Sequence, residues 1–266
     1  MSGFTEISAQ NLFRLIGTPT APVIIDVCVP EDVAADPFVI PTSIRIAHTK
    51  IAAWAEGKAG QRVVVVCQKG KKLSHGSAAI LRTHGIQAEV LSGGMAGWVA
   101  DGLPRTAISA LPASSLWVTR ARPKIDRIAC PWLIRRFVDP AAQFLFVPAP
   151  EVSEVAKRFD ATPFDVADTR FTHVGNRCTF DAMLDHFGLA TPPLQEMAKV
   201  IRAADTDTLG DVPQAAGLLA ISVGLSRMYK DDLAQLDAGM TIYDALYRWA
   251  RDGQTETHSW PQERTS

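Results

Sequence analysis

The sequence predicts an α/β protein: a parallel sheet with flanking helices, followed by a mainly helical second domain with few strands. Three observations carry this. Strand-like and helix-like segments alternate up to about residue 105, the pattern of a parallel sheet with crossover helices. Val23-Ile24-Ile25-Asp26-Val27 and Val63-Val64-Val65-Val66 are continuous apolar runs rich in β-branched residues, as buried strands are. After residue 116, helix-like segments dominate.

Residues 8–13 read as a short helix, 23–27 as the first buried strand, 51–55 as a short helix and 63–66 as the next strand. Residues 74–84 place Ala78, Ile80 and Leu81 on one helical face, and Gly85 is well placed to end that helix. Glu89-Val90-Leu91 is a third strand, followed by Ser92-Gly93-Gly94 and a helix holding Met95 and Trp98. Residues 103–115 form a linker with Pro104, Pro112 and small residues, so the domains are expected at 1–107 and 116–252. In the second, residues 128–137 form a helix with Pro131 in its first turns, and 143–147 form a strand between prolines. Further helices are expected at 151–159, 180–187, 193–204, 213–227 and 241–251, and residues 253–266 form a polar, flexible tail.

The 266 residues suit one large or two ordinary domains, and 47% apolar with 21% charged residues is an ordinary globular balance. A net charge of −1 and the lack of a basic helix-turn-helix pattern argue against a nucleic-acid partner. No secretory leader is visible, and no apolar stretch approaches the roughly 20 residues that span a bilayer. Cys28, Cys67, Cys130 and Cys178 form no Cys-x-x-Cys pair, which argues against a disulfide framework and a zinc ribbon. A cytoplasmic protein with reduced thiols is expected, and the oligomeric state is left open.

The densest chemistry lies at Cys67-Gln68-Lys69-Gly70-Lys71-Lys72-Leu73-Ser74. A buried strand delivers one thiol into a short loop at a helix N-terminus. Loop amides and the helix dipole favour the thiolate, and Lys69, Lys71 and Lys72 act in the same direction. Cys67 is the candidate nucleophile. Gln68, Lys69, Gly70, Lys71, Lys72 and Ser74 are the candidate binding residues for a small anionic sulfur donor or oxyanion. The Gly-Lys pair is not a phosphate-binding P-loop, because its Gly-x4-Gly-Lys-Ser/Thr spacing is missing. Asp26 reads as a structural hydrogen-bond partner and Cys28 as a small core thiol.

The first half resembles the rhodanese (sulfurtransferase) family. The resemblance rests on Val23-Ile24-Ile25-Asp26-Val27, on Val64-Val65-Val66-Cys67 followed by Gly70, and on Leu91-Ser92-Gly93-Gly94-Met95-Ala96-Gly97-Trp98 closing in Gly102-Leu103-Pro104. It implies a rhodanese-like parallel sheet and a persulfide formed on the loop cysteine, with no cofactor required for sulfur transfer. The chain departs from the family pattern in three places. Lys72 and Leu73 stand where the family has Arg then Ser or Thr, so the loop looks one residue longer. Asp26-Val27-Cys28 replaces Asp-Val-Arg, and Ile44-Arg45-Ile46-Ala47-His48 blurs the His-x-Pro-Gly-Ala segment. The longer loop is similar to those of phosphatase-type relatives that hold oxyanions, but lysine offers a point charge instead of a bidentate fork.

The second half resembles the carboxyl-terminal domain of chromate-resistance proteins of the ChrB type. The residues that carry this are 120–137, with Asp126, Arg127 and Cys130, together with 171–180 and 201–207. The resemblance implies a role in chromate resistance. His173 and Cys178 are candidate ligands for a divalent transition metal, completed by Asp205 or Asp207, with Asp126 as a fourth group or an N-cap. Cys178 at a helix start is expected to have a depressed pKa. Arg127 is the candidate oxyanion-binding arginine of the basic stretch. His186, Phe137, Phe144 and Phe146 read as packed residues. Two functions follow: a sulfurtransferase working through Cys67, or a non-catalytic chromate- or metal-binding or regulatory protein with an inert rhodanese module.

Overall fold

The computed structural model describes residues 5–256. The first half contains β1 (Glu6–Ile7), α1 (Ala9–Leu15), β2 (Val23–Asp26), α2 (Pro30–Ala35), β3 (Phe38–Val39), β4 (Ile44–Arg45), α3 (Ile51–Ala55), β5 (Arg62–Val66), α4 (Lys72–Thr83), β6 (Gln87–Leu91), α5 (Gly94–Ala100) and β7 (Thr106–Ala107). Strands β1, β6, β5, β2 and β4 make one parallel sheet in that order. Val63, Val64 and Val65 of the central β5 have no exposed surface, because side chains on both faces of a strand covered by helices must be buried. The parallel sheet with flanking helices agrees with the rhodanese-like sheet that the family resemblance implies. Strands β3 and β7 form a small antiparallel pair.

The second half contains β8 (Leu116–Arg120), α6 (Asp126–Leu133), β9 (Gln143–Val147), α7 (Val152–Phe159), β10 (Thr162–Pro163), α8 (Thr179–Phe187), α9 (Pro192–Asp205), α10 (Pro213–Met228) and α11 (Asp232–Arg248). It is mostly helical, with a three-stranded parallel sheet in the order β10, β8, β9. One hydrophobic core runs through both halves: Leu12, Ile16 and Trp98 belong to the same buried group as Trp132, Phe137 and Tyr247. Trp132 and Arg136 both donate to Asp244 of α11, at 2.8 Å each, which ties that helix to α6.

Several boundaries differ from expectation. Helix α4 begins at Lys72 rather than Ser74, so the thiol loop is shorter and the helix N-terminus closer to Cys67. Helix α11 begins at Asp232, nine residues before the expected start, with Asp231 accepting from the Ala234 amide at 2.7 Å. Its early turns carry buried Gln235, which donates to the Pro123 carbonyl, and Gly239, which packs on Ile128; these polar and small residues mask an apolar stripe. Strand β8, unpredicted, is the middle strand of its sheet. The expected tail start at residue 253 falls inside a π-helical turn, Trp249–Gly253, and residues 257–266 lie outside the described residues. Among the described residues, no helix is long and apolar enough to cross a membrane.

Candidate functional site

Two sites emerge, one in each half. The first is the Cys67 loop. Cys67 leaves β5 and is 5% exposed. Its sulfur receives the Lys71 N–H at 3.4 Å and lies 3.1 Å from the Ser74 hydroxyl. That hydroxyl also reaches the Lys71 carbonyl at 3.1 Å. It has one proton, so it serves the carbonyl when Cys67 is a thiol and is free to serve the sulfur when Cys67 is a thiolate. Burial is the largest single influence on Cys67 and raises its pKa. The Ser74 hydroxyl and the amides of Lys71, Ser74 and Lys69 together outweigh it, and the net shift is downward.

The loop is held from behind by the Gly93-Gly94 turn. The Met95 and Ala96 amides donate to the Cys67 and Gln68 carbonyls at 3.1 and 3.0 Å. This approach needs residues without side chains. Gly70 has φ +63°, and a Cβ there would lie 2.6 Å from the Leu91 carbonyl oxygen. The two glycine motifs, distant in sequence, are thus one structural device. Lys69, Lys71 and Lys72 are exposed, and among the described residues none is in an ion pair, so their charge is available to an anion. Gln68 is half-buried, and its carbonyl is used by Ala96.

Asp26 accepts from the Cys28 amide at 2.8 Å and pairs with Arg45 at 3.6 Å, a structural role that fixes the end of β2. Cys28 is raised in pKa, by burial first and then by Asp26. These contrasts predict that Cys67 is alkylated first of the four cysteines. Because its pKa is lowered, its rate should persist at neutral pH and fall only as pH drops through that lowered value. Peptide mapping of alkylation between about pH 5 and 9 measures this; equal rates for Cys67 and Cys28 at neutral pH would rule out an activated thiolate.

The second site gathers one histidine and three aspartates from four segments. His173, on the loop before α8, places Nε2 3.1 Å from Asp205 at the end of α9, 3.4 Å from Asp126 at the start of α6, and 3.5 Å from Asp165. The expectation that Asp126 caps its own helix is corrected. It is the first helical residue after Ile125, and its Oδ2 accepts the Thr179 amide of α8 at 2.6 Å. Asp165 accepts the Thr179 hydroxyl at 3.1 Å and pairs with Arg120 at 2.9 Å and Arg127 at 3.2 Å. The Asp126 hydrogen bond is the main reason His173 is pushed up to about 9, with Asp205 and Asp165 adding to it against burial. Burial, then repulsion from Asp126 and Asp165, raises Asp205.

Three expectations fail here. Cys178 does not join the group of ligand atoms formed by Asp126, His173 and Asp205. It is the N-cap of α8, fully buried, with its sulfur 3.5 Å from Asp181. Its pKa is raised, not depressed: burial dominates, Asp126 and Asp181 repel a thiolate, and the helix amide is too small an offset. Arg127 is not free to fork around an oxyanion, since it is committed to Asp165 and donates to the Arg120 and Ala121 carbonyls. Asp165, which sequence reading missed, sits at φ +53° in an irregular segment with no periodic signal. His186 is packed as expected, against Phe171 and Phe187, with Nε2 3.0 Å from the Ala110 carbonyl.

The sheet order, the cysteine loop and the glycine turn behind it define a rhodanese-like domain. Residues 8–101 match the family model described as the rhodanese-like domain. Residues 117–250, half of the chain, match that of the ChrB C-terminal domain, and the chain belongs to this family. Protein ChrB of Cupriavidus metallidurans is 37% identical over 134 residues, which are 49% of this chain and 39% of that protein. The chain thus spans about two fifths of the length of the curated relative it matches. A rhodanese-related protein of Thermoplasma volcanium is similar at 22% identity, with a TM-score of 0.33, over 38% of this chain and 96% of its own. A possible tyrosine phosphatase of Rhodopseudomonas palustris is similar at 20% identity, with a TM-score of 0.34, over 38% and 83%.

Proposed function

We propose that the chain is a sulfurtransferase that carries sulfane sulfur as a persulfide on Cys67, joined to a chromate-resistance domain. The observation that carries this is the setting of one sulfur: the Lys71 amide and Ser74 hydroxyl lie against Cys67 at the N-terminus of α4, with three exposed lysines around the loop. A thiolate there attacks the outer sulfur of an anionic donor such as thiosulfate. The new sulfur–sulfur bond forms as the old one breaks, and sulfite leaves with the electron pair. The persulfide anion stays in the same cradle of amides, which stabilises its charge without reorganisation. A thiolate acceptor then attacks the outer sulfur and returns Cys67 to its starting state. No cofactor enters this cycle. The four cysteines are all free thiols, and a reducing, cytoplasmic setting suits this chemistry.

Intact and peptide mass analysis after exposure to thiosulfate tests the reading. The expected product is one added sulfur atom on Cys67, removed by a thiol reductant. If the sulfur is found on another cysteine, or on none, while the protein remains folded, the proposal is wrong.

A further inference from the structure

We propose that Asp126, His173 and Asp205 bind a divalent first-row transition cation of borderline hardness, of the Mn²⁺, Co²⁺ or Zn²⁺ class, in the second half of the chain. One oxygen or nitrogen from each lies within 4.8 Å of the others. The closest pairs, 3.1 Å and 3.4 Å from His173 Nε2 to the two carboxylates, match the spacing of neighbouring donors around an ion. Bonds of about 2.1 Å place adjacent ligands roughly 3.0–3.4 Å apart in octahedral or tetrahedral geometry.

Charge and hydrogen bonding point the same way. Asp165 is satisfied by Arg120, Arg127 and the Thr179 hydroxyl. Asp126 and Asp205 have no arginine or lysine at ion-pair distance among the described residues; His173 is their only cationic partner. Two carboxylates therefore face at most one positive charge. Independently, the other oxygen of Asp126, Oδ1, is buried with no hydrogen-bond donor, on a side chain 1% exposed. A buried carboxylate oxygen without a partner is costly, and a cation provides one.

The protein backbone holds the donors in place before any ion arrives. The Thr179 amide fixes Asp126, and the Asp126 amide lies 3.5 Å from the other Asp205 oxygen. His173 is 40% exposed, which leaves one side of the group open to solvent and to an incoming ligand. One imidazole and two carboxylates favour ions of the middle of the hardness scale over thiophilic ones. Cys178, bonded to Asp181 and outside the donor group, is not part of the set.

The test uses the full chain with Cys67→Ser, which removes the loop thiolate as a competing ligand. This variant also separates the inference from sulfur transfer, since it should be inactive there and still bind metal. After chelation and dialysis, Co²⁺, Zn²⁺ and Mn²⁺ are titrated with calorimetry, and Co²⁺ is also followed by its visible absorption. One ion per chain is expected, with a ligand-field spectrum lacking the sulfur-to-cobalt charge-transfer band. His173→Ala and Asp205→Asn should each weaken binding at least tenfold, and Cys178→Ser should leave it unchanged. His173 is the cation beside buried Asp126, so His173→Ala should melt below the metal-free parent; Asp205→Asn, which removes a charge from the group instead, keeps the binding test decisive if the histidine variant is poorly folded. Substoichiometric uptake by the parent, unchanged affinity in both ligand variants, or a sulfur charge-transfer band lost with Cys178 would each overturn the site.

Discussion

Replacing Cys67 with Ser is expected to lower thiosulfate sulfur transfer by at least about a thousandfold while leaving the protein folded. The loss is large because, in the proposed cycle, the residue forms the covalent intermediate and no neighbour substitutes for it. Serine has a much higher pKa than a thiol, and the amides that lower the Cys67 pKa cannot bring a hydroxyl into range at neutral pH. Stability should change little. Serine is the smaller residue, and the Lys71 amide and Ser74 hydroxyl beside Cys67 remain available to its oxygen. A change of about 1 kcal/mol is expected. Transfer rates and urea unfolding of the two proteins check both parts. A folded Cys67→Ser protein that still transfers sulfur at the parent rate would move the chemistry elsewhere.

Gly94→Ala is expected to cost about 3–5 kcal/mol and to abolish transfer as well. Gly94 has φ +59°, and a Cβ there would collide with the Cys67 carbonyl and the Gly70 amide. These are backbone atoms and cannot rotate away. Relief would require the loop to separate from α5, breaking the Met95 and Ala96 hydrogen bonds to the Cys67 and Gln68 carbonyls. Gly76→Ala is the matched control. Gly76 lies inside α4 with open space at its Cβ position, so alanine there should be neutral or stabilise by about 0.5–1 kcal/mol. Urea midpoints for the two variants decide it. Equal stability of Gly94→Ala and the parent would mean that the glycine turn does not brace the thiol loop.

The parallel sheet was legible because its signals are local. Val63 to Val66 are apolar on both faces, and only a strand covered on both sides needs that. The position of Cys67 at the end of that strand, before a helix, follows from the same local pattern, so the thiol loop could be read as a site. Where local patterns are interrupted, the sequence does not show the element. Strand β8 carries no alternating or long continuous apolar signal although Trp117 and Val118 are fully buried, and Gln235 and Gly239 break the apolar stripe in the early turns of α11.

The residues alone carried the nature of the first domain, the position of its candidate nucleophile and the helical character of the second, since each depends on neighbours along the chain. The partners of His173 depended on three-dimensional packing. Asp126, Asp165 and Asp205 come from separate segments, and chain folding alone brings them within 3.5 Å of its imidazole. The direction of a side chain also escapes spacing. Cys178 lies five residues from His173, yet it is buried as a helix cap, while Asp126 reaches across to cap that same helix. Burial then reverses the pKa that a helix start would suggest, because removing a thiolate from water outweighs the attraction of a few amides.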